Sequence, residues 1–322
     1  VSTVSSAIEP ASSIWRRRLR AERLSRNAFA AAAGLSLVVV LLVVLFLTVN
    51  AWPAFVHIGL DHFFLSATWD PEGAFHQNAN YQPVPMFGAL TPIAGSAVAV
   101  SLALVIAIPV GLALAIVISE TGRQVGERAL RPAIELFVGV PSIVYGYIGL
   151  VILVPMLARF APPGRSGQGF AAAAIVLGVM VVPTIATLSA DALQSVPAAL
   201  REGSFSLGAT PWQTLRRVVI PAAKPGIITG IVLGLARAMG EALAVALVIG
   251  GVPQLPQFNQ GIKFLFEPGM TMTTTITDGI TELGANPKAS AARYLLALVL
   301  LLITFACVTA VRVAQKRGQV TT

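Results

Sequence analysis

Cysteine and charge are what this sequence has least of. Its one cysteine, Cys307, lies inside an apolar run, so no internal disulfide can form and thiol redox chemistry has no support. Only 11% of its 322 residues are charged, against 56% hydrophobic, which excludes an ordinary soluble domain. No Gly-Lys pair occurs anywhere. A G-x4-G-K-[ST] phosphate loop is therefore absent, no cofactor is expected on this chain, and any ATP and Mg2+ must be handled by another. No Ser/His, metal-ligand or paired-carboxylate constellation stands near the end of an apolar run, so a membrane enzyme is disfavoured. No internal repeat is evident.

What is present is long hydrophobic runs, near 28–50, 93–118, 134–157, 170–189, 227–249 and 294–313. Each is about the length that crosses roughly 30 Å of hydrocarbon. The expected fold is an all-α integral membrane protein with six transmembrane helices. Residues 1–27 read as a basic tail, unstructured over 1–14, and 28–50 as a first span. An external loop covers 51–91, a five-span core 92–314 and a short tail 315–322. The first apolar run is too long for a secretory signal and reads as an uncleaved span, although Val49-Asn50-Ala51 resembles a cleavage site. Pro109 and Pro183 fall inside expected spans, where membrane helices tolerate proline if neighbours or water satisfy the freed carbonyls. Kinks beside a pathway are expected there.

The basic residues fix an orientation. With the N-terminus inside, the inner segments hold six arginines over 16–26, then Arg123, Arg128 and Arg131, then Arg201, Arg216, Arg217 and Lys224, then Arg312, Lys316 and Arg317. Outside stand only Arg159, Arg165, Lys263, Lys288 and Arg293. Arg237 is left within a span. The positive-inside rule therefore places both termini in the cytoplasm. It also accounts for the net charge of +8 without nucleic acid as a partner. The 51–91 loop has no Lys or Arg. Its His57-x3-Asp61-His62 spacing could put ligands on one helical face, but such residues more often belong to a solvated loop, and no metal is assigned.

Between two spans lies a polar stretch, Ser195 to Pro225. Pro197 suits the first turn of a helix and Gly208 can take the left-handed conformation that ends it. Thr210, Pro211 and Gln213 restate a start signal. Pro221 and Pro225 are expected to stop that second helix. Two short helices at a fixed bend make a stiff cytoplasmic lever. On the other side, Met272, Ile276, Ile280 and Leu283 recur at helical spacing until Gly284 and Pro287. A short amphipathic helix lying on the outer surface is expected, serving packing or contact with an external partner.

Arg237 and Glu241 are four apart in the fifth run and should share a helix face. Each costs about 2.5–3.5 kcal/mol at a helix centre, so both must face the bundle interior, a partner or water. They are either a mutual ion pair that fixes packing or pathway groups: a guanidinium fork for a passing anion, and an acid that holds or releases it. Gly234 and Gly240 would let a neighbouring helix come close. Glu135 follows Pro132 in the first turn of a helix, where a carboxylate is favoured. Tyr145 and Tyr147 read as packing and interface residues rather than ligands.

Several of these stretches resemble a known family. Glu202, Gly203, Ser204, Gly208, Val218, Ile220 and Pro221 fall on the spacing of the EAA loop of ABC-importer permeases, E-A-A-x3-G-x9-I-x-L-P. Gly203 and Ser204 replace the alanines, Val218 the first Ile and Ile220 the Leu. RAMGEALAVALVIG, RPAIELFVGVPSIVYGYIGL and IPVGLALAIVISE resemble runs of the phosphate-importer permeases. Trp69-Asp70-Pro71 and Phe87-Gly88-Ala89-Leu90 point to their PstC type. The resemblance implies the type I importer permease fold in a bacterial plasma membrane and a role in moving inorganic phosphate by alternating access. It implies Arg237 and Glu241 in the pathway, the seven loop residues in ATPase docking, and Glu135 as the third-span acid, structural or in the pathway. The partners it implies are a homologous permease (PstA type), an ATPase dimer (PstB type), an external phosphate-binding protein (PstS type) and membrane lipid. Transport of another oxyanion such as sulfate or molybdate is the nearest rival. An ion-driven secondary transporter would leave the loop spacing unexplained.

Overall fold

The computed structural model describes residues 11–71, 73, 84–120, 128–279 and 286–319. The chain divides into two units, 1–50 and 51–322. The first helix, α1 (Ala11–His57), contributes to both. It contains Ser25–His57, long and apolar enough to cross a membrane. The basic stretch ahead of that span is thus helical from Ala11, not an unstructured tail to residue 14; residues 1–10 lie outside the described set.

In the second unit the external loop contains α2 (Leu60–Leu65) and a two-stranded antiparallel ladder, β1 (Trp69–Asp70) with β2 (Met86–Phe87). Trp69 pairs with Phe87 and Asp70 with Met86, so the two short stretches that carried the PstC-type resemblance are partners. His57 closes α1, while Asp61 and His62 lie on α2. Among the described residues no three His, Cys, Asp or Glu side chains converge as metal ligands.

The bundle is built around α7 (Phe170–Gln194), of whose most apolar stretch 61% is buried, more than in any other span. Small residues explain its centrality. Ala172, Ala173, Ala174 and Gly178 let α3 (Leu90–Glu120) approach through Ala99, Ala103 and Ala107, all fully buried, as close membrane packing requires. On the other flank α10 (Ile220–Gly240) lays Gly234 against Val181 and Ile185 of α7, where an added Cβ would stand 2.9 Å from both. Gly240, the other glycine expected to admit a neighbour, has open space around it.

The third span is sharply broken. Its two parts, Arg128–Gly139 and Ser142–Ala158, meet at 91°. They comprise α4 (Arg131–Gly139), then α5 (Ser142–Ile148), a π-turn over Gly149–Leu153 and α6 (Val154–Ala158). Val140 and Pro141 between them are extended, because a residue before proline is driven out of the helical region. Pro109 and Pro183, where kinks were expected, sit inside continuous helices.

The lever is also built differently from expectation. α8 (Ala198–Ser206) has Pro197 as its N-cap, and Gly208 at φ 81° ends it. Thr210 and Gln213 form a reciprocal capping box that starts α9 (Pro211–Thr214). Pro221 and Pro225 do not stop that helix, which is one 30-residue rod, Pro211–Gly240. A π-turn over Leu215–Val219 precedes Pro221, and the Ile220 N–H reaches back to the Leu215 carbonyl. Widening the helix there removes the clash and the missing donor that proline would otherwise impose. The same device precedes Pro155, where the Val154 N–H bonds to the Gly149 carbonyl. The lever is therefore one short helix plus the first turns of a span.

After α11 (Leu243–Ile249) a long loop carries a 3-10 segment, Phe258–Phe266, then α12 (Met272–Asp278) and α13 (Pro287–Gln319). A short helix forms where Met272 and Ile276 predicted it, and it packs into the bundle, one of its two expected uses, rather than lying on the outer surface: Met272 to Thr275 are all buried. Its threonines turn inward by bonding their own backbone, Thr275 and Thr277 donating to the carbonyls of Thr271 and Thr273. Ile280, Leu283 and Gly284 lie outside the described residues, and Pro287 opens α13 rather than ending a pattern.

Candidate functional site

The fifth span breaks at Glu241. α10 ends at Gly240, Glu241 is extended (φ −77°, ψ 123°), and α11 begins at Leu243. Arg237 and Glu241 are thus not on one continuous helical face. No carboxylate lies within ion-pair distance of Arg237 among the described residues. Its Nη1 donates instead to Thr184 Oγ1 at 3.3 Å, on α7. The Glu241 carboxylate accepts from the Ala244 N–H at 3.2 Å, satisfying one of the donors exposed by the break. The Glu241 carbonyl accepts from Thr273 Oγ1 of α12 at 2.8 Å. The break is therefore held by a residue 32 positions away. α12 is held in turn by Ser96 of α3, whose Oγ accepts from the Met272 N–H at 2.8 Å.

Non-helical backbone in a membrane survives only where protein buries it or where it lines a cavity, and broken helices are a recurrent setting for transporter sites. Here the two breaks adjoin. α5 packs on α11 with Gly146 against Ala244, leaving only 2.7 Å between a hypothetical Cβ and the Ala244 Cα. Tyr145, one residue earlier, donates from its hydroxyl to the Phe137 carbonyl across the 91° bend at 2.7 Å. A fixed cation, two hydroxyls and the broken backbone thus share one region. A half-buried guanidinium with free donor capacity is suited to a tetrahedral oxyanion. Thr184 and Thr273 escaped the sequence reading, because a threonine in a span carries no signal until its partner is placed.

Glu135 stands in the second turn of α4, not the first as expected, and with Val140 and Pro141 it lines a cavity of about 650 Å³ at the bend of the third span. Glu135 accepts from Arg131 Nε at 3.1 Å, while Arg131 Nη2 donates to Asp191 of α7 at 2.8 Å. Tyr147 is 62% exposed.

At the arginine-rich end of the bundle α8, the first part of the lever, stands clear of the core. No residue of α8 is buried. Leu200, Phe205, Leu207 and Trp212 are exposed, Leu207 by 90%. Glu202, Gly203 and Gly208 face open space, Ser204 bonds to Thr214 at 2.9 Å across the elbow, and Val218, Ile220 and Pro221 lead into the rod. Arg201 ties α8 down: Nη1 donates to both oxygens of Glu120 (2.9 and 3.1 Å) and Nη2 to the Leu193 carbonyl (3.0 Å).

Broken apolar spans around a half-buried arginine, joined by a rigid rod to an exposed apolar elbow, define the class: a membrane transport subunit of the ABC-importer permease kind. Comparison with known proteins makes the assignment particular. Residues 107–317 match the family described as binding-protein-dependent transport system inner membrane component, and the chain belongs to that family. The probable ABC transporter permease protein YqgH of Bacillus subtilis is 39% identical over 280 residues, 86% of this chain and 85% of that one. The phosphate transport system permease protein PstC of Mesorhizobium japonicum is 32% identical over 293 residues, 85% and 84% of the two chains. Among solved structures, a chain of a bacterial alginate ABC transporter in complex with an alginate-bound periplasmic protein superposes with a TM-score of 0.55. It is 18% identical, over 89% of this chain and 94% of that one, and so speaks to fold alone. The protein is a multi-pass component of the inner membrane, a transport rather than catalytic subunit.

Proposed function

We propose that this subunit carries inorganic phosphate into the cell, with Arg237 as the fixed cation of the pathway. The observation that carries the reading is the half-buried Arg237 guanidinium, hydrogen-bonded to a neutral threonine and without a carboxylate in ion-pair range among the described residues. A structural ion pair would have neutralised it. Relatives named as PstC phosphate permeases support the choice of anion. Glu241 is the competing anion. It caps α11 in this conformation, and a shift of α10 that brought it to Arg237 would expel the substrate.

The pathway runs between this chain and a homologous permease of PstA type, with both termini of this chain in the cytoplasm. An ATPase dimer of PstB type receives the elbow of α8 and α9, where Glu202, Gly203, Ser204, Gly208, Val218, Ile220 and Pro221 form or support the docking surface. An external phosphate-binding protein of PstS type delivers the substrate. Closure of the ATPases draws the levers together and alternates access across the breaks.

The test is phosphate uptake into proteoliposomes holding the full complex, with binding protein outside and ATP inside. A charge-assisted contact of about 1.5–3 kcal/mol makes Arg237→Gln roughly 10- to 100-fold slower with assembly intact. Uptake unchanged in the assembled variant would remove Arg237 from the pathway. Wild-type uptake of sulfate or molybdate in place of phosphate would keep the importer and overturn the substrate.

A further inference from the structure

A second feature of the arginine-rich end lies where the lever joins the bundle. Between α3, α7 and α10 lies a cleft of about 410 Å³, lined by Leu112 and Ile116 of α3, Leu193 of α7, and Ile220, Pro221, Lys224 and Ile227 of α10. Its volume falls in the range of small-molecule pockets. Its walls are aliphatic, and its single charge is Lys224, which is exposed and makes no ion pair among the described residues. Ile116 lies one turn before Glu120 at the end of α3, Leu193 lies beside the last residue of α7, and Ile220 opens α10. The cleft is therefore at the basic end of three spans, where hydrocarbon gives way to headgroups. Arg216 and Arg217, both exposed, stand on the turn just ahead of it.

These features select among occupants. A peptide would bring backbone donors and acceptors that aliphatic walls cannot satisfy. A free anion would gain one lysine and nothing from the apolar walls. A molecule with a hydrocarbon chain and one negative headgroup matches both parts, since the lysine stem lies along apolar surface while its ammonium reaches the headgroup layer. We propose that this cleft binds an anionic phospholipid of the inner leaflet, with an acyl chain between α3 and α10 and its phosphate on Lys224. Because α10 continues into the lever, a bound chain fixes the resting position of the lever against α3. The inference uses the charge-based orientation but does not depend on phosphate being the transported anion.

The experiment is native mass spectrometry of the purified full complex, exposed in turn to phosphatidylglycerol and phosphatidylcholine of equal chain length. Wild type should retain phosphatidylglycerol roughly 5-fold better, the effect of one lysine near a lipid phosphate. Lys224→Gln should bring that ratio close to one while Lys224→Arg preserves it. Ile116→Trp, which fills the cleft, should lower retention of both lipids. Equal retention by wild type, or an unchanged ratio in Lys224→Gln, would overturn the proposal. Displacement of phosphatidylglycerol by millimolar inorganic phosphate would also overturn it, placing Lys224 on the substrate route. Failure of phosphate uptake in the proteoliposome assay leaves this result untouched, so the two readings fail separately.

Discussion

The tether at Arg201 offers a sharp test of how the lever is held. α8 buries none of its own residues, so its position depends on a few polar contacts. The Arg201 guanidinium makes three, two to Glu120 and one to the Leu193 carbonyl, at 2.9 to 3.1 Å. Exposed ion pairs contribute about 0.2–1 kcal/mol, and charged hydrogen bonds shielded from water about 1.5–3 kcal/mol. With side chains 25% and 31% exposed, the Glu120 pair falls between these limits. Glu120→Gln keeps the shape and one acceptor but removes the charge, and should cost about 1–2 kcal/mol. Local opening of α8 then becomes roughly 5 to 30 times more frequent.

Amide hydrogen exchange reads this directly. Exchange at residues 202–206 should accelerate by that factor in Glu120→Gln, while amides of α10 near residues 228–236 keep their protection. A change below about 2-fold at 202–206 would refute the tether. Equal acceleration in α10 would mean general destabilisation and refute the locality of the argument. In the reconstituted complex, the proposed role of the elbow adds a second expectation: phosphate moved per ATP hydrolysed falls, because a loosened lever yields instead of transmitting the push.

Four further outcomes follow from particular contacts. Gly146→Ala places a Cβ 2.7 Å from the Ala244 Cα and should destabilise the complex by about 1–3 kcal/mol, seen as a lowered melting temperature in detergent. Thr273→Val strips the Glu241 carbonyl of its donor and should cost about 1–3 kcal/mol, with Thr273→Ser restoring most of it. Leu207→Ser removes a side chain that is 90% exposed; melting should not change, while co-purification of the ATPase declines if the elbow docks there. Burial pushes the Asp278 carboxyl above its ordinary 3.8, with Arg293 opposing; a raised folded pKa means stability is lost as pH climbs from the ordinary carboxylate range through that raised value, and Asp278→Asn should flatten that part of the melting profile.

The sequence was most readable where structure is decided by neighbours in the chain. The left-handed Gly208 and the Thr210–Gln213 capping box were visible because φ > 0 and reciprocal capping need those residue types at those positions. The break at Glu241 was invisible for the opposite reason. ARAMGEALAVAL is a good helical run, and what holds it open is Thr273, brought from the far side of a loop. The same distance effect hid Thr184. Two errors were errors of polarity and of punctuation. α12 was expected on the outer surface, yet its threonines bury by bonding their own backbone. Pro221 looked like a stop, yet a π-turn carries the helix past it.

That last correction changes what the lever can do. Had Pro221 ended the second lever helix, a flexible joint would have separated the elbow from the span. Instead the rod is continuous from Pro211 to Gly240, and Trp212 at the elbow and Arg237 at the break stand on one helix, about 38 Å apart along its axis. A helix transmits tilt and translation with little loss over such a length, whereas the break at Glu241 does not. Under the proposed coupling, movement of the elbow would be delivered at Arg237 and alter its distance to Thr184 on the central α7, while Glu241 and α11 are held by Thr273 and by the packing of Ala244 on Gly146. The break is the point at which the driven part of the span meets the restrained part. In that scheme the cation and the acid, four residues apart in sequence, change partners without either helix unfolding.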